Sequence, residues 1–233
     1  MSDHEFSLPR DDEHVAICGQ NGSGKSQCGA WLLSKRDLRE ETWIVTDYKG
    51  EELFNSLANI REIDFNEIPD KPGLYILRTR PDLEDATERF LWKLWSTGHA
   101  GLFVDEGYML PRGERGAFQA ILTQGRSLRI PVMTLTQRPV KVSPFAFSEA
   151  SHVIVFDLSR KKDRDTIDDN TRDGFSEWSP PGLTVDNAGD LPRFYARWWQ
   201  KKKKTAYVLK PVPDAETIVA DIDRQLEVKR RWL

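Results

Sequence analysis

Cysteine is scarce in this chain of 233 residues, which contains only Cys18 and Cys28. Two cysteines form no disulfide framework and no set of metal ligands, so a reducing compartment is expected. The four histidines include no pair at the i, i+4 spacing of a helical metal motif. We therefore expect both cysteines to be small buried residues, one at the end of a strand and one in a helix.

Long apolar runs are also absent, and no segment approaches the length of a membrane span. The first residues, MSDHEFSLPRDDEH, lack the apolar core of a secretory signal. We expect no membrane insertion and a cytoplasmic location. The net charge of −3 is unlike that of proteins that coat nucleic acid. It still permits contact through a small surface, such as the basic lumen of a ring with an acidic exterior.

The apolar pattern alternates predicted strands and helices, as a mostly parallel sheet requires. The predicted strands cover residues 14–18, 42–46, 73–78, 101–104, 131–136 and 152–156. Two intervening segments, 84–95 and 116–127, carry apolar residues at helical spacing. Right-handed crossovers would place helices on both faces of this sheet.

The alternation of predicted strands and helices weakens towards the C-terminus, and the chain is predicted to have three parts. Residues 1–13 are predicted to be an N-terminal tail, 14–170 the core, and 171–233 an extension packed on that core. In the extension, aromatic-rich runs at 193–199 and 205–209 flank four lysines at 201–204, which predicts a hairpin with a basic tip. A final amphipathic helix is expected to begin near Asp214 and to end in the basic residues 229–231.

The most informative stretch is GQNGSGKS, residues 19–26, which fits the P-loop pattern G-x-x-x-x-G-K-[ST]. It lies between a predicted strand and a predicted helix, the context in which backbone N–H groups cradle phosphates. Lys25 would reach the β- and γ-phosphates, and the Ser26 hydroxyl would bind Mg²⁺. A glycine-rich turn that matches by accident is the alternative, and the flanking segments argue against it. The predicted nucleotide-binding residues are Gly19, Gln20, Asn21, Gly22, Ser23, Gly24, Lys25, Ser26 and Gln27.

Two polar strand ends follow downstream. LFVDE ends in Asp105 and Glu106, the Walker B arrangement, in which the first carboxylate helps to hold Mg²⁺ and the second polarises a water molecule. Strands ending in Asp-Glu are common, but the P-loop upstream favours this role. TLTQRP places Gln137 at the next strand end, where an amide can sense the γ-phosphate or the attacking water. An ordinary polar turn before Pro139 is the other interpretation of that segment.

Four segments together resemble the FtsK/HerA superfamily of DNA-translocating ATPases: GQNGSGKS, LFVDE, QGRSLR at 124–129, and TLTQRP. The short, single-domain form is similar to the genome-packaging ATPases of tectivirus-like viruses, which are tailless, icosahedral and contain an internal membrane. DYKG at 47–50 and ASHVIVF at 150–156 add weaker likenesses, and the resemblance covers about residues 14–170. It implies an α/β fold of the P-loop NTPase (RecA/ASCE-like) class, with a mostly parallel central sheet flanked by helices.

The resemblance also implies a homo-oligomeric ring, usually a hexamer, that binds ATP and Mg²⁺ at subunit interfaces. An arginine from the neighbouring subunit completes each site; Arg126 is the best match and Arg129 the reserve. A surface arginine at a helix end is the plainer interpretation of Arg126. Gln137 would couple hydrolysis to movement of double-stranded DNA. Viral capsid vertex proteins are expected partners, and the location would be the host cytoplasm or the virion.

The leading hypothesis is therefore an ATP-driven double-stranded DNA translocase that packages a viral genome. The absence of a long N-terminal domain or membrane segments before the P-loop favours packaging over chromosome segregation. A phage assembly ATPase resembling the zonula-occludens-toxin-like proteins is an alternative, although those usually carry a membrane span after the ATPase domain. A small-molecule P-loop kinase would need an arginine-bearing lid and would not need Asp105, Glu106 and Gln137 together. A nucleotide-binding module without turnover would not need Glu106.

Residues that grip DNA are less clearly indicated, because translocases contact phosphates through basic side chains without reading bases. The candidates are basic side chains in two segments: Arg160, Lys161, Lys162, Arg164 and lysines 201–204. A solvated surface explains each of them equally well. Trp198 and Trp199 would contact nucleic acid or a partner, or pack on the core.

Overall fold

A computed structural model describes residues 6–111, 116–180 and 191–227. Within these ranges the strands form a single sheet of nine, in the order β3-β4-β2-β5-β6-β1-β7-β8-β9. The strands are β1 Val15–Cys18, β2 Thr42–Asp47, β3 Arg61–Ile63, β4 Gly73–Arg78, β5 Gly101–Val104, β6 Val132–Thr136, β7 His152–Val155, β8 Ala196–Gln200 and β9 Thr205–Leu209. The first seven strands in that order run parallel, β8 pairs antiparallel with β7, and β9 pairs antiparallel with β8.

Helices cover both faces of the sheet. They are α1 Lys25–Ser34, α2 Glu52–Asn55, α3 Glu84–Thr97, α4 Ala117–Gln124, α5 Phe145–Ser148, α6 Lys161–Asn170 and α7 Ala215–Glu227. Alternate residues of each central strand point to opposite faces, so the core forms two clusters. The cluster that contains Ala16 packs against α3 and α4, and the cluster that contains Ile17 packs against α1 and α7. The α/β architecture predicted from the sequence is confirmed.

The continuous apolar composition of the central strands follows from this two-sided burial. β1, β5 and β7 read VAIC, GLFV and HVIV, and every residue in them is buried. Sheets covered on both faces need such runs instead of alternating polar residues. The six predicted parallel strands are all present, each within one residue of its predicted bounds. Cys18 and Cys28 are fully buried, and this burial raises the pKa of both thiols.

Three local features differ from the sequence prediction. β3 is an additional edge strand of three residues, two of them exposed, so it has no apolar signal. The mixed-charge segment at 159–165, considered as a DNA contact or a solvated surface and not as a helix, contributes the start of α6. The helix predicted over 116–127 ends at Gln124: the Gly125 N–H closes its last turn by donating to Ile121 O at 2.6 Å, and the Ile130 N–H then donates to Gly125 O at 2.7 Å, which turns the chain towards β6. Arg126 therefore lies in a turn and not in a helix.

The hairpin and the final helix of the extension form as predicted. Four lysines connect β8 to β9, and Asp214 Oδ1 accepts the Thr217 N–H at 2.8 Å at the start of α7. The basic residues 229–231 and the second half of the loop predicted at 179–182 lie outside the described ranges. Gln225 ties α7 to the core by bonding Leu38 N and Ser34 O.

The segment predicted as an N-terminal tail packs against this hairpin. Phe6 contacts the rings of Trp198 and Tyr207 edge-on, with centroids 4.8 and 5.3 Å apart. Gln200 Nε2 donates to Ser7 O at 2.7 Å. Trp198, which the sequence left open as a contact residue or a core residue, is fully buried. The three-part division of the chain stays a prediction.

Glu13 is the polar centre of this contact. Its carboxylate is buried and accepts hydrogen bonds from Arg10 N, His152 Nε2 and Lys202 Nζ at 3.0, 3.1 and 2.8 Å. Trp198 Nε1 donates to His152 Nδ1, so the proton of the neutral ring lies on Nε2. Burial acts to raise the pKa of Glu13, but these bonds outweigh it and lower the pKa to about 2.

Replacing Glu13 by Gln tests this network. The folded-state pKa lies below the ordinary value of 4.5, so the stabilisation is complete above pH 4.5 and is lost as the pH falls towards 2. We expect Glu13→Gln to lower the free energy of unfolding at pH 7 by about 2 kcal/mol. Urea unfolding between pH 7 and pH 2.5 should show this difference shrinking below pH 4.5. The exposed control Glu67→Gln should show no such pH dependence, and a constant difference for Glu13→Gln would contradict the account.

Candidate functional site

The carboxyl ends of four adjacent parallel strands gather the polar motifs at one edge of the sheet. In the order β2-β5-β6-β1, these strands lead into DYKG, into Asp105 and Glu106, into Gln137 and into GQNGSGKS. Open parallel sheets bind ligands at this edge. The structure therefore brings together motifs that are more than a hundred residues apart in the chain.

The GQNGSGKS loop needs its glycines for different reasons. Gly22 and Gly24 have φ of +73° and +95°, in the left-handed region that other residues rarely adopt. A Cβ on Gly19 would lie 2.6 Å from Phe156 Cβ, so no side chain fits there. α1 begins at Lys25, which places the positive end of its dipole and its free N–H groups towards the loop.

A cavity of about 340 Å³ lies above this loop. Its lining residues are Asn21, Gly22, Gly24, Lys25, Ser26, Gln27, Lys49, Glu51, Glu106 and Phe194. Six of the nine predicted loop residues are in this group, while Gly19, Gln20 and Ser23 are not. The volume and the free N–H groups suit a phosphate-bearing ligand.

Two buried carboxylates, each 1% exposed, form the floor of the site. Ser26 Oγ lies 3.5 Å from Asp105 Oδ1, which brings the two predicted metal-binding groups together. Glu106 Oε1 lies 3.6 Å from Lys25 Nζ and also accepts a hydrogen bond from Lys49 Nζ, while Glu106 Oε2 is buried without a partner. Glu106 has left-handed backbone angles, a conformation that stores strain and recurs at functional sites.

Asp105 is electrostatically under-compensated. Burial and the neighbouring charges of Glu106 and Glu51 raise the pKa of Asp105 to about 7, although Lys25 and Lys49 act in the opposite direction. A buried carboxylate of this kind favours an added positive charge beside it. Within the described residues, no cluster of three or more His, Cys, Asp or Glu side chains is arranged to hold a metal ion.

Lys49, Glu51 and Phe194 are site residues that sequence reasoning did not assign. Lys49 and Glu51 lie in or beside the DYKG segment, which was noticed only as a family likeness. Phe194 comes from the C-terminal extension, has φ of +66° and is 42% exposed at the mouth of the cavity. No signal in the sequence pointed to Phe194, because it lies 170 residues from the loop that it faces.

Gln137 lies behind the acidic turn and not in the cavity lining. Its Nε2 donates to Tyr108 Oη at 3.1 Å, and Tyr108 belongs to the short turn Gly107–Met109 that follows Glu106. Gln137 therefore contacts the Walker B turn through one side chain. Its role as a sensor stays a prediction.

Arg126 and Arg129 lie at the opposite edge of the sheet, in the turn that leads into the amino end of β6. Arg126 pairs with Asp12 at 3.6 Å, and its side chain is 44% exposed. Arg129 has φ of +55° and lines a separate cleft of about 380 Å³ with Asp11 and Asp12. The strands of the sheet separate the two edges, and neither arginine lines the P-loop cavity of its own chain.

A known protein resembles this chain over most of its length. No family model matches the chain. The DNA packaging ATPase P9 of Enterobacteria phage PRD1 is 36% identical to it over 220 residues, which cover 93% of this chain and 94% of P9. The chain belongs to the family of this DNA packaging ATPase. The predicted resemblance to the packaging ATPases of tectivirus-like viruses is thereby confirmed.

Solved structures share the fold. The genome packaging NTPase B204 of Sulfolobus turreted icosahedral virus 2, bound to sulfate, superposes with a TM-score of 0.69 at 17% identity, covering 88% of this chain and all of B204. The bacterial conjugative coupling protein TrwBΔN70 gives a TM-score of 0.58 at 14% identity, covering 88% of this chain and 86% of the solved TrwBΔN70 chain. These members of the wider fold confirm the P-loop ATPase architecture. Among the described residues, no helix has both the length and the apolar character that a membrane crossing needs.

Gly107 offers a test of the acidic turn. A Cβ on Gly107 would lie 2.7 Å from Thr134 Cγ2, so Gly107→Ala must displace the turn that carries Glu106. We expect Gly107→Ala to lower the rate of ATP hydrolysis at least tenfold and to change nucleotide affinity less than threefold, since the P-loop itself is untouched. Steady-state hydrolysis and calorimetric titration measure the two quantities.

Thr134→Ser provides the matched rescue, because it removes the methyl group that the new Cβ would strike. The Gly107→Ala/Thr134→Ser double variant should recover most of the lost rate. A double variant that stays as slow as Gly107→Ala would show that the clash is not the cause.

Proposed function

We propose that the chain hydrolyses ATP and uses the energy to move double-stranded DNA into a viral capsid, acting as a subunit of a ring. The observation that carries this proposal is the buried Glu106 beside Lys25 in the P-loop cavity, in a relative of a DNA packaging ATPase. A base aimed at the phosphate position serves hydrolysis by water. It has no use in a protein that only binds nucleotide.

The described groups divide the chemistry among them. Lys25 and the N–H groups at the start of α1 bind the β- and γ-phosphates and offset the charge that develops on them. Glu106 accepts the proton of the attacking water as general base. Gln137, through Tyr108, connects the state of the acidic turn to the end of β6.

The site also fits Mg²⁺. Ser26 Oγ and Asp105 are adjacent, and Asp105 lacks the positive charge that its burial calls for. Mg²⁺ in nucleotide enzymes is held by one or two protein oxygens together with phosphates and water, so two ligands suffice. The ion would draw negative charge from the phosphate oxygens, and Ser26 and Asp105 are the residues that would hold it.

A small-molecule kinase is less well supported. The described residues that line the cavity include no arginine, whereas a phosphate-transferring lid would bring several. The lack of an arginine of this chain among the described lining residues supports completion of the site by another subunit. The exposed position of Arg126, at the edge of the sheet opposite to its own P-loop, supports the same interpretation.

Several of the basic side chains considered as DNA contacts bond within the chain. Lys201 bonds the carbonyls of Phe147 and Ser148, and Lys202 bonds Glu13, so these lysines of the hairpin tip hold the protein together. In α6, Lys161 pairs with Asp165. We propose capsid vertex proteins as the docking partners and the host cytoplasm or the virion as the location, on the basis of the family.

The Mg²⁺ assignment predicts a pH dependence. With the pKa of Asp105 raised to about 7, the carboxyl is protonated below pH 7 and must lose its proton to bind the ion. Mg²⁺ affinity of the protein loaded with a non-hydrolysable ATP analogue should fall about tenfold per pH unit below 7 and level off above pH 8. Calorimetric titrations from pH 6 to pH 8.5 measure this, and Asp105→Asn should retain only the pH dependence of the nucleotide itself. Equal pH dependence in both proteins would refute the assignment.

The ring mechanism predicts complementation between two inactive variants. Arg126→Ala and Glu106→Gln should each lose at least a thousandfold in hydrolysis rate. Mixed in equal amounts, they should recover roughly a quarter of wild-type activity, since half of the subunits keep Glu106 and half of their neighbours keep Arg126. The wild-type rate should rise more steeply than linearly with protein concentration and should rise further with double-stranded DNA.

Arg129→Ala is the matched control and should keep most of the activity. Mixing that restores nothing, with a rate strictly proportional to protein concentration, would exclude an arginine supplied in trans. Recovery that requires Arg129 in place of Arg126 would move the role to Arg129.

A further inference from the structure

The contact between Lys49 and Glu106 has no place in the mechanism above. We propose that Lys49 is a latch: it holds the Glu106 carboxylate while the site lacks a γ-phosphate and moves to that phosphate when ATP binds, which frees Glu106 to act on water. Lys49 is thus a positioning residue for the base. This inference rests on the proposed ATPase function.

Glu106 is held from two sides by lysines. Lys49 Nζ donates to Glu106 Oε1, the same oxygen that lies 3.6 Å from Lys25 Nζ. Burial makes an uncompensated carboxylate costly, and Glu106 Oε2 already lies buried without a partner. The two ammonium groups therefore hold the Glu106 carboxylate in one orientation.

Both lysines can also reach a ligand. Lys49 and Lys25 line the same 340 Å³ cavity as the P-loop, and the Lys49 side chain remains 42% exposed. A γ-phosphate brings more negative charge than a single carboxylate and competes for the same ammonium groups. ADP brings no anion to that position, so Lys49 stays on Glu106 when ADP is bound.

The backbone beside Lys49 is fixed, so the exchange needs only the side chain to move. Asp47 Oδ1 accepts the N–H groups of Lys49, Gly50 and Glu51 at 3.0, 2.8 and 3.2 Å. The other carboxylate oxygen of Asp47 pairs with Arg78 from the adjacent strand β4. A flexible four-carbon stem on a rigid loop suits a group that alternates between two anions.

A double-mutant cycle on nucleotide binding tests the latch without hydrolysis, DNA or ring assembly. The affinity of a non-hydrolysable ATP analogue is measured by calorimetry for wild type, Glu106→Gln, Lys49→Met and the double variant. If Lys49 must leave Glu106 for the phosphate, Glu106→Gln should tighten binding about tenfold when Lys49 is present and less than threefold in the Lys49→Met background. ADP affinity should change less than twofold in Lys49→Met.

A static contact between Lys49 and Glu106 would give the opposite sign of coupling in this cycle. If Lys49 stays on Glu106 throughout, it screens the carboxylate from the phosphate, and Glu106→Gln should then tighten binding less with Lys49 than without it. That result, or equal effects in both backgrounds, would overturn the latch while leaving the ATPase proposal intact. Lys49→Arg should retain the wild-type pattern. Lys71→Met, at the amino end of β4, should change nothing. Failure of wild type to bind any nucleotide would overturn both proposals.

Discussion

Two adjacent carboxylates buried at the end of a central strand are the constraint around which this site is built. Asp105 and Glu106 are each 1% exposed, and burial together with the neighbouring charges of Glu106 and Glu51 raises the pKa of Asp105 to about 7. Such a pair is unfavourable unless cations approach it. Lys25 and Lys49 supply two of them for Glu106. Among the described residues Asp105 has no ion-pair partner of this kind, and that imbalance is what a nucleotide-bound cation would correct.

The parallel sheet separates this site from the arginines that would complete it. All motifs at the carboxyl ends of β1, β2, β5 and β6 meet at one edge, while the turn before β6 lies at the other. Arg126 and the P-loop are therefore at opposite edges of one chain. In the proposed ring, one subunit's amino edge would face the next subunit's carboxyl edge. Sheet polarity would then leave each site to be completed by a neighbouring subunit.

Much of this arrangement was predictable from the sequence, and the exceptions have physical reasons. The P-loop and the Asp105-Glu106 pair are local patterns whose chemistry fixes their spacing, and buried parallel strands are continuous apolar runs. β3 was missed because a short exposed edge strand carries no such run. The helix ending at Gln124 was predicted three residues too long, because its apolar residues stop at Leu122 and do not mark where the helix ends.

Contacts between distant segments were the least predictable. The lysines of the hairpin tip look like a DNA-binding patch in sequence, but Lys201 and Lys202 bond Phe147, Ser148 and Glu13, which precede them by more than fifty residues. Lys49 and its partner Glu106 are likewise brought together only by the pairing of β2 with β5 in the sheet. A sequence shows that a side chain is positively charged, but it does not show which anion that side chain contacts in the fold.

The predicted boundary near residue 170 divides the sequence, but it does not divide the site. Phe194 from the extension lines the nucleotide cavity above Gly24. Gln27 in α1 donates to Pro213 O at 2.6 Å, directly before α7. The two contacts lie on either side of the hairpin, so the segments that flank it both touch the start of the P-loop helix. A ligand bound in this cavity therefore lies next to the extension as well as next to the core.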